Sequence, residues 1–387
     1  MKEIFVLVYT LGPNDQYGIG GVRRYLKRVS QYFDSENVNW KFEMLHDKPV
    51  KNEHLSPFAN LVKSFLVAMK LTHLDRKASR PLIYAQDTAY SGLAGIIAGK
   101  LCRIPCVVHC HNLPSLLYMA REGNSSLKSR IYLLFLMKIE QIVLKNCDRI
   151  IVTNQGLSRA IMKKGVDSKH IQTIPMGVDI KKIQSEISNA NYEIDSISSK
   201  FRIGYIGRLS KIKNLFTLLD SFSDFIHNDG ERFAELIIVG GGPDKELLEE
   251  YAEKIGITNC VTFTGYRIDI SNFLKMFDIF IQPSLTEGSS LALLEAMAAG
   301  LPIIASNISA NKSILIDNYN ALLFNPLDSD SLTILIKELF VDKELRKRIS
   351  SNALSTIRKY DYSKILRLIL DTLNDTLEKN KRLRIYD

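Results

Sequence analysis

The sequence predicts an α/β protein with two doubly wound parallel sheets. Short apolar strands alternate with amphipathic helices along most of the chain, and this alternation is typical of parallel sheets joined by crossover helices. The strands are runs of β-branched, aromatic and other apolar residues, as expected where both faces of a sheet are covered. A polar stretch with poor periodicity at residues 184–200 divides the alternation into two series. We therefore predict domains at 1–180 and 200–362, joined by a linker at 181–199.

The composition is that of an ordinary globular protein. The chain has 387 residues, of which 46% are hydrophobic and 24% charged. Five cysteines, an odd number in a long chain, argue against a disulfide framework and favour a reducing cytoplasm. No signal-peptide pattern precedes the first strand, and no apolar run is long enough to cross a membrane. We expect a cytoplasmic protein.

The positive charge is concentrated in the first half of the chain. Residues 1–180 hold 25 Lys and Arg against 14 Asp and Glu, a balance of +11, and the remainder holds 26 against 28, a balance of −2. A basic amphipathic helix predicted at 58–77 is of the kind that lies on anionic lipid. We expect the first domain to meet an anionic partner such as the inner face of the cell membrane, with a solvated basic surface as the alternative. The sequence contains no motif of a nucleic-acid-binding domain beside this positive charge.

The first domain opens with a strand at 3–10, a glycine-rich loop and a helix at 22–33. Gly18 and Gly20 begin a dinucleotide fingerprint, but the third glycine is missing, so the motif gives little support for NAD. Gly20 and Gly21 more simply allow a ligand or a facing domain to approach the backbone closely. Further strands are predicted at 81–85, 105–111, 149–153 and 169–174, and further helices at 90–101 and 126–145.

One strand of this domain ends in a histidine. In the run PCVVHCH, Cys106 and Cys110 alternate with His109 and His111, so the cysteines and histidines are expected on opposite faces. The cysteine spacing fits no usual zinc pattern, which leaves metal as a minor alternative. Because ligands of open α/β sheets bind at the carboxyl ends of strands, His111 is a candidate for proton transfer or for contact with a sugar.

The second series contains the stretch that organises the chain, EGSSLALLEAMAAGLP. Ser289 or Ser290 is a good N-cap for a helix that begins at Leu291, and the unpaired N–H groups of this first turn attract anions. Glu287 and Glu295 are expected to face one small volume beside them. Donors and acceptors together suit a sugar nucleotide. The alternative is a loop glutamate and a solvated helix glutamate.

Two cations flank the turn after the first strand of this series. Arg208 and Lys213 follow the run FRIGYIG, where they can neutralise a diphosphate and stabilise it as a leaving group; a surface pair is the alternative. The pair Asp328 and Asp330 resembles a metal-binding motif, but it precedes the helical run SLTILIKELF, and we predict that Asp328 is a helix cap. The second series also predicts strands at 235–240, 260–265, 278–284 and 302–306, and helices at 214–226, 245–255, 270–276, 291–299 and 363–379.

These motifs together resemble those of a known family. Gly207-Arg208-Leu209 with Lys213, the turn Gly240 to Asp244, and the stretch from Glu287 to Glu295 are similar to the donor domain of the family 4 retaining glycosyltransferases, also called glycosyl transferases group 1. The likeness covers almost the whole chain. It implies the GT-B fold, in which two Rossmann-like domains face across a cleft, and a final helix at 363–387 that crosses back to the first domain.

The resemblance also implies roles for individual residues. Arg208 and Lys213 would hold the donor diphosphate, Glu295 the ribose and Glu287 the hydroxyls of the transferred sugar. His111 would approach that sugar from the other domain. The further donor-binding positions implied are Gly20, Gly21, Tyr266, Arg267, Gly288, Ser289, Ser290 and Leu291.

We therefore expect a metal-independent, retaining hexosyltransferase without a cofactor. It would move a hexose or N-acetylhexosamine from a nucleotide sugar, by default a UDP-sugar, to a glycan or lipid-linked acceptor in cell-surface polysaccharide synthesis. A front-side substitution, in which the departing phosphate helps to deprotonate the acceptor, is expected rather than a glycosidase-like double displacement. The alternatives are a nucleotide-sugar epimerase and a catalytically silent subunit of a transferase complex.

Overall fold

Two compact units make up the chain. The computed structural model describes residues 3–8, 21–44, 66, 69, 81–122, 126–190, 200–227 and 234–385. Among these residues, unit 1 extends to Pro175 and includes the chain from Ile365 onward, and unit 2 runs from Met176 to Lys364. The basic helix predicted at 58–77 lies outside the described residues except for two positions, both helical.

Unit 1 is built on a parallel sheet. Its strand order is β2-β1-β3-β4-β5-β6, and every neighbouring pair is parallel. The order reverses between β1 and β3, which makes their carboxyl ends the switch point of this sheet. The sequence did not predict β2. The strands are β1 Glu3–Val8, β2 Asn39–Met44, β3 Pro81–Ala85, β4 Cys106–Cys110, β5 Arg149–Val152 and β6 Ile171–Thr173.

The helix Tyr90–Cys102 of unit 1, which is rich in small residues, packs closely on this sheet. A Cβ added at Gly95 would lie 2.9 Å from the Cys106 sulfur and 3.1 Å from Ile83, so only glycine lets this helix approach β3 and β4 so closely. The cysteines of β4 face this core, as predicted. The helices are α1 Gly21–Ser35, α2 Tyr90–Cys102, α3 Pro114–Glu122, α4 Leu127–Asn146 and α5 Gln155–Lys163.

Unit 2 repeats the architecture with a second parallel sheet. Its order is β12-β11-β10-β7-β8-β9, with all neighbouring pairs parallel. The order reverses between β10 and β7, so the switch point of unit 2 lies between the carboxyl ends of these two strands. The strands are β7 Phe201–Ile206, β8 Ala234–Val239, β9 Val261–Gly265, β10 Ile279–Gln282, β11 Ile303–Ser306 and β12 Leu322–Phe324.

From Ile180 onward, three elements differ from the sequence prediction. The helices Ile180–Asn189 and Lys343–Ile357 and the last strand, β12, were not predicted. The long final helix belongs to unit 1 from Ile365 onward, and within that unit Asn380 Nδ2 donates to Asp148 Oδ1 over 3.1 Å. The helices are α6 Ile180–Asn189, α7 Leu215–Phe225, α8 Lys245–Lys254, α9 Ile270–Met276, α10 Leu291–Ala298, α11 Ser329–Val341, α12 Lys343–Ile357 and α13 Tyr362–Ile385.

The segment expected to be a linker is helical over its first half. Asp179 caps α6 by accepting the N–H of Lys182, and Ile180 and Ile183 are buried. The side chain of Glu186 accepts a hydrogen bond of 2.6 Å from Ser271 in α9. Polar residues outnumber apolar ones here, but isoleucines three and four residues apart still form one apolar stripe, which is enough to dock a short helix.

The predicted fold is confirmed, because both units are parallel-sheet α/β structures. The capping predictions also hold: Ser290 caps α10 and accepts from the N–H of Leu293, and Asp328 caps α11 and accepts from the N–H of Ser331. In the described part of the chain, none of the helices is both long and apolar enough to cross a bilayer.

Two glycine turns of unit 2 pack backbone against backbone. Gly240 has a φ of +142°, and a Cβ added there would lie 1.9 Å from the carbonyl oxygen of Gly207. A hydrogen bond of 2.9 Å from the N–H of Leu209 to the carbonyl of Gly241 joins the same two turns. The turn after β8 thus supports the turn after β7, and glycine is required for backbone contact.

This contact predicts unequal effects for two glycine substitutions. Gly240→Ala adds a methyl group against a backbone carbonyl that cannot move aside, and we expect a loss of about 3 kcal/mol or more in the free energy of unfolding. Gly256 has a φ of +74° and open space around its Cβ position, so Gly256→Ala should lose only about 1 kcal/mol. Urea unfolding of both variants tests this, and equal losses would contradict the contact.

Candidate functional site

The predicted donor-binding residues gather at the carboxyl edge of the sheet in unit 2. Arg208 follows β7, Glu287 follows β10, and Tyr266 follows β9. Because β10, β7, β8 and β9 are successive neighbours in a parallel sheet, these segments leave the sheet along the same edge. The segments that carry Arg208 and Glu287 flank the switch point, where open α/β sheets bind their ligands.

A nearly buried ion pair crosses this switch point. Lys213 Nζ lies 2.5 Å from Glu287 Oε1, and the side chains are 17% and 8% exposed. The same carboxylate oxygen accepts hydrogen bonds from Gln282 Nε2 at 2.9 Å and from Ser284 Oγ at 2.7 Å. These contacts all fall on Oε1, so within the described residues Oε2 of Glu287 is left to accept from a ligand.

Gln282 and Ser284 were missed by the sequence prediction, although they lie within five residues of Glu287. Gln282 also accepts a hydrogen bond of 3.1 Å from the Ser290 hydroxyl, which caps α10. A run of polar residues at a buried strand end was the available signal. The network therefore links Lys213, Glu287 and the start of α10, and it fixes the first N–H groups of that helix relative to the ion pair.

The turn that carries Lys213 is held from two sides. Asn214 adopts the left-handed conformation with a φ of 58°, and its Nδ2 donates to the carbonyls of Pro283 at 3.2 Å and Pro326 at 2.7 Å. The N–H of Leu285 donates to the carbonyl of Ile212 over 2.9 Å. These contacts attach the Lys213 turn to the segment that leaves β10, so Asn214 positions the lysine.

Arg208 lies in the turn after β7, which packs against Gly240 and Gly241 in the turn after β8. Its carbonyl accepts a hydrogen bond of 3.2 Å from the buried Tyr205 hydroxyl. Burial raises the pKa of the Asp244 carboxyl, and the charges of Lys211 and Arg208 oppose this rise. Arg208, Lys213 and the N-terminus of α10 thus place positive charge at one edge of unit 2.

Glu295 and the remaining residues of the predicted stretch lie where the sequence placed them. Glu295 is on α10 and is 3% exposed. Gly288, Ser289 and Ser290 run from Glu287 to Leu291, the first residue of that helix. The structure confirms that Glu295 lies on the predicted helix after Glu287. That the two glutamates face one small volume, and that Glu295 contacts the ribose, stay predictions.

At the end of β9 the guanidinium of Arg267 is already engaged. It forms two hydrogen bonds with Asp269, of 2.8 and 2.7 Å, and lies over the Phe273 ring. These bonds lower the pKa of Asp269 to about 2. Contact with a nucleotide base at this position stays a prediction; it would use the exposed ring of Tyr266 or the backbone rather than the guanidinium.

A second group of polar side chains lies at the carboxyl edge of the sheet in unit 1. The His111 ring stacks on the His109 ring, with centroids 4.1 Å apart and an angle of 23°. Gln86, which follows β3, places its Oε1 3.2 Å from His111 Nε2. Tyr84 and Tyr25 place their hydroxyls 2.6 and 3.2 Å from His109 Nδ1. Two strands and α1 therefore hold the histidine pair.

Burial keeps this pair of rings neutral. Loss of solvent lowers the pKa of His111 to about 4 and the pKa of His109 well below its usual value. A neutral imidazole can exchange hydrogen bonds with a hydroxyl but supplies no cation for a phosphate. Among the described residues, His109 Nε2 and Gln86 Nε2 are buried with no hydrogen-bond partner, so this group retains capacity for a polar ligand.

Of the two donor-binding glycines predicted in the glycine-rich loop, the structure describes only one. Gly20 lies outside the described residues, and Gly21 is the first residue of α1, the helix that brings Tyr25 to the histidines. Within the described parts of the chain, no group of three His, Cys, Asp or Glu side chains is arranged to hold a metal ion.

Two family models match successive parts of the chain. The model described as Glycosyltransferase Family 4 matches residues 19–182, and the model described as Glycosyl transferases group 1 matches residues 191–356. Together they account for most of the sequence.

Individual proteins are also similar to this chain over nearly its full length. A UDP-Gal:alpha-D-GlcNAc-diphosphoundecaprenol alpha-1,3-galactosyltransferase of Escherichia coli is 28% identical over 351 residues, 89% of this chain and 86% of that protein. Sucrose-phosphate synthase of Thermosynechococcus elongatus superposes with a TM-score of 0.77 at 20% identity, over 98% of this chain and 100% of its own. HepE of Anabaena, in a crystal structure with UDP, superposes with a TM-score of 0.73 at 20% identity. The match covers 97% of this chain and 100% of the HepE chain.

Removing the lysine of the ion pair should destabilise the protein. Lys213→Met leaves the Glu287 carboxylate nearly buried without its cation, and we expect the free energy of unfolding to fall by about 2–3 kcal/mol. Lys211→Met, at an exposed position of the same turn, should change it by less than about 0.5 kcal/mol. Adding Glu287→Gln to Lys213→Met should recover most of the loss in urea unfolding. If Lys213→Met were as stable as wild type, the pair would not be a stabilising interaction.

The lowered pKa of His111 predicts a loss of stability in mild acid. Its folded pKa of about 4 lies below the unfolded value of about 6.5, so protons favour the unfolded chain and stability falls as the pH drops from about 6.5 toward 4. Between pH 7 and pH 5 this group should contribute a loss of about 2 kcal/mol. We expect His111→Gln to reduce the pH dependence of urea unfolding by that amount, and His170→Gln, an exposed control, to leave it unchanged. An unaltered pH dependence in His111→Gln would refute the assignment.

Proposed function

Because the chain belongs to the family 4, or group 1, glycosyltransferases, we propose that it transfers a sugar from a UDP-sugar to a glycan or lipid-linked acceptor in the synthesis of a cell-surface polysaccharide. Unit 2 binds the donor in this proposal, and unit 1 binds the acceptor. The acceptor class is supported by the relative whose name specifies a diphosphoundecaprenol substrate, and UDP is supported by the HepE complex.

The observation that carries the donor assignment is the ion pair at the switch point of unit 2. An ammonium group has three N–H donors, so the bond from Lys213 to Glu287 leaves two for phosphate oxygens. Arg208 follows the neighbouring strand, and the first N–H groups of α10 carry the positive end of the helix dipole. Such an edge can neutralise a diphosphate and stabilise it as it departs, which supports a reaction without a metal ion.

Glu287 is suited to hold a sugar rather than to attack it. Its Oε1 accepts from Lys213, Gln282 and Ser284, which reduces the nucleophilicity of the carboxylate and fixes its orientation. No contact from the described residues falls on Oε2, which can therefore accept from a sugar hydroxyl. This arrangement supports a front-side substitution with retention, in which the leaving phosphate helps to deprotonate the acceptor hydroxyl, over a double displacement through a glycosyl ester.

The neutral histidine pair of unit 1 is suited to hydroxyl groups. His111 Nε2 donates a hydrogen bond to Gln86 Oε1, and the buried nitrogens of His109 and Gln86 that lack a partner among the described residues add further hydrogen-bonding capacity. A contact with hydroxyls of the sugar or of the acceptor fits this chemistry, because neutral groups bind hydroxyls without repelling or attracting charge.

Nucleotide-sugar binding tests the proposal most simply. In thermal shift assays without added metal, UDP and one UDP-sugar should stabilise the protein, by roughly 2.7 kcal/mol at 100 times the Kd. Arg208→Ala should weaken UDP binding about 10- to 100-fold, since it removes a charge-assisted contact to phosphate. Arg202→Ala is the matched control, because Arg202 lies near the opposite end of the same strand and pairs with Glu235.

Three results would contradict parts of the proposal. Absence of binding to any UDP-, GDP- or ADP-sugar would favour a silent subunit, and conversion of donor alone into an isomer would identify an epimerase. Inversion of the anomeric centre in the transfer product, read by NMR, would exclude the retaining mechanism.

A further inference from the structure

The helix α4 of unit 1 exposes a stripe of large apolar side chains. Leu127, Ile131 and Leu134 are 74%, 59% and 65% exposed, and their spacing of four and three residues places them on one face of the helix. The opposite face, which includes Leu133, Leu136 and other residues, is buried. A surface helix normally carries polar residues on its outer side, so this exposed stripe requires an explanation.

The exposed charges of α4 itself all have the same sign. Four exposed cations lie on α4, namely Lys128, Arg130, Lys138 and Lys145. The only carboxylate of the helix is Glu140, which is fully buried and accepts hydrogen bonds from Ser115 and Lys164. The outer face of α4 therefore combines apolar and basic side chains and presents no carboxylate.

The neighbouring helix α3 extends the same surface. Leu116 and Met119 of α3 are 42% and 44% exposed. The rings of Tyr118 and Tyr132 pack edge to face, with centroids 4.8 Å apart, and join α3 to α4. Glu140 accepts from the N–H of Ser115 at 2.6 Å, near the start of α3. The surface formed by the exposed faces of α3 and α4 is named the α3–α4 surface.

This surface is attached to the histidine site of unit 1. The chain runs from His111, at the end of β4, through Asn112 and Leu113 into α3. The buried Glu140 fixes the first turn of α3 against α4, and therefore also constrains the path of the chain from His111. Anything that binds the α3–α4 surface is held close to the residues assigned to the hydroxyl-binding site.

We propose that the α3–α4 surface is a docking site for an anionic lipid bilayer. Leu116, Met119 and the Leu127–Ile131–Leu134 stripe enter the boundary between headgroups and acyl chains, and the exposed lysines of α4 bind lipid phosphates. The helix lies in the interface and does not cross it. The inference rests on the proposed function, because a lipid-linked acceptor is presented at such a surface.

Charge complementarity selects this partner. A second copy of the same surface would bring like charges together, since every exposed ionic group on α4 is a cation. An anionic bilayer instead satisfies the cations and the apolar side chains at once, because phosphates lie above a hydrocarbon layer. At high salt concentration the apolar contribution to bilayer binding should persist, and the contribution of the lysine–phosphate contacts should weaken because salt screens them.

Vesicle cosedimentation of the full chain tests the proposal. Wild type should bind vesicles of phosphatidylcholine with phosphatidylglycerol more strongly than vesicles of phosphatidylcholine alone. Ile131→Glu with Leu134→Glu, and separately Lys128→Glu with Lys138→Glu, should each weaken binding to the anionic vesicles by about tenfold or more. Leu327→Glu with Ile334→Glu is the matched control, because these residues of unit 2 are 82% and 62% exposed; it should bind as wild type does.

Nucleotide binding by the same variants separates this proposal from the proposed function. Each variant should keep the thermal shift with UDP, which also shows that it is folded. The proposal is overturned if wild type ignores anionic vesicles or if the α3–α4 variants bind them as well as the control does. It is equally overturned if light scattering finds a wild-type dimer that Ile131→Glu with Leu134→Glu dissociates while vesicle binding is absent.

Discussion

The ion pair between Lys213 and Glu287 is the interaction on which the candidate donor site depends. It joins the turn after β7 to the segment after β10, across the switch point of the sheet in unit 2. A nearly buried pair requires further polar partners, because each desolvated charge is costly unless it is hydrogen-bonded. Gln282 and Ser284 supply them, and Gln282 also receives the Ser290 hydroxyl. One network thus orients a cation, a carboxylate and the start of α10.

The two units use burial for different chemistry. In unit 2 the polar edge gathers positive charge, from Arg208, Lys213 and a helix N-terminus, which suits a diphosphate. In unit 1, burial lowers the pKa values of His109 and His111, so the corresponding edge presents neutral hydrogen-bonding groups, which suit hydroxyls. The sheets have the same architecture, and the residues that follow their strands determine the difference.

Sequence reasoning predicted most strands and helices because apolar periodicity and caps are local properties. The candidate residues that follow the strands, such as Arg208 and Glu287, were found because the end of each strand can also be read locally from the sequence. Sequence reasoning did not predict that Lys213 and Glu287 form a pair, since they are 74 positions apart and meet only through the strand order. The roles of Gln282 and Asn214 were missed because each depends on partners brought together by the fold. Helix α6 was missed because three isoleucines in a polar segment give weak periodicity.

We propose that the edge of unit 2 built around this ion pair holds the diphosphate of a nucleotide sugar. A crystal structure of the protein with UDP tests it most directly. We expect the diphosphate within hydrogen-bonding distance of Lys213 Nζ and of the first N–H groups of α10, with the ribose at Glu295. UDP bound elsewhere, or bound with Lys213 contacting Glu287 alone, would show that this edge does not hold the diphosphate.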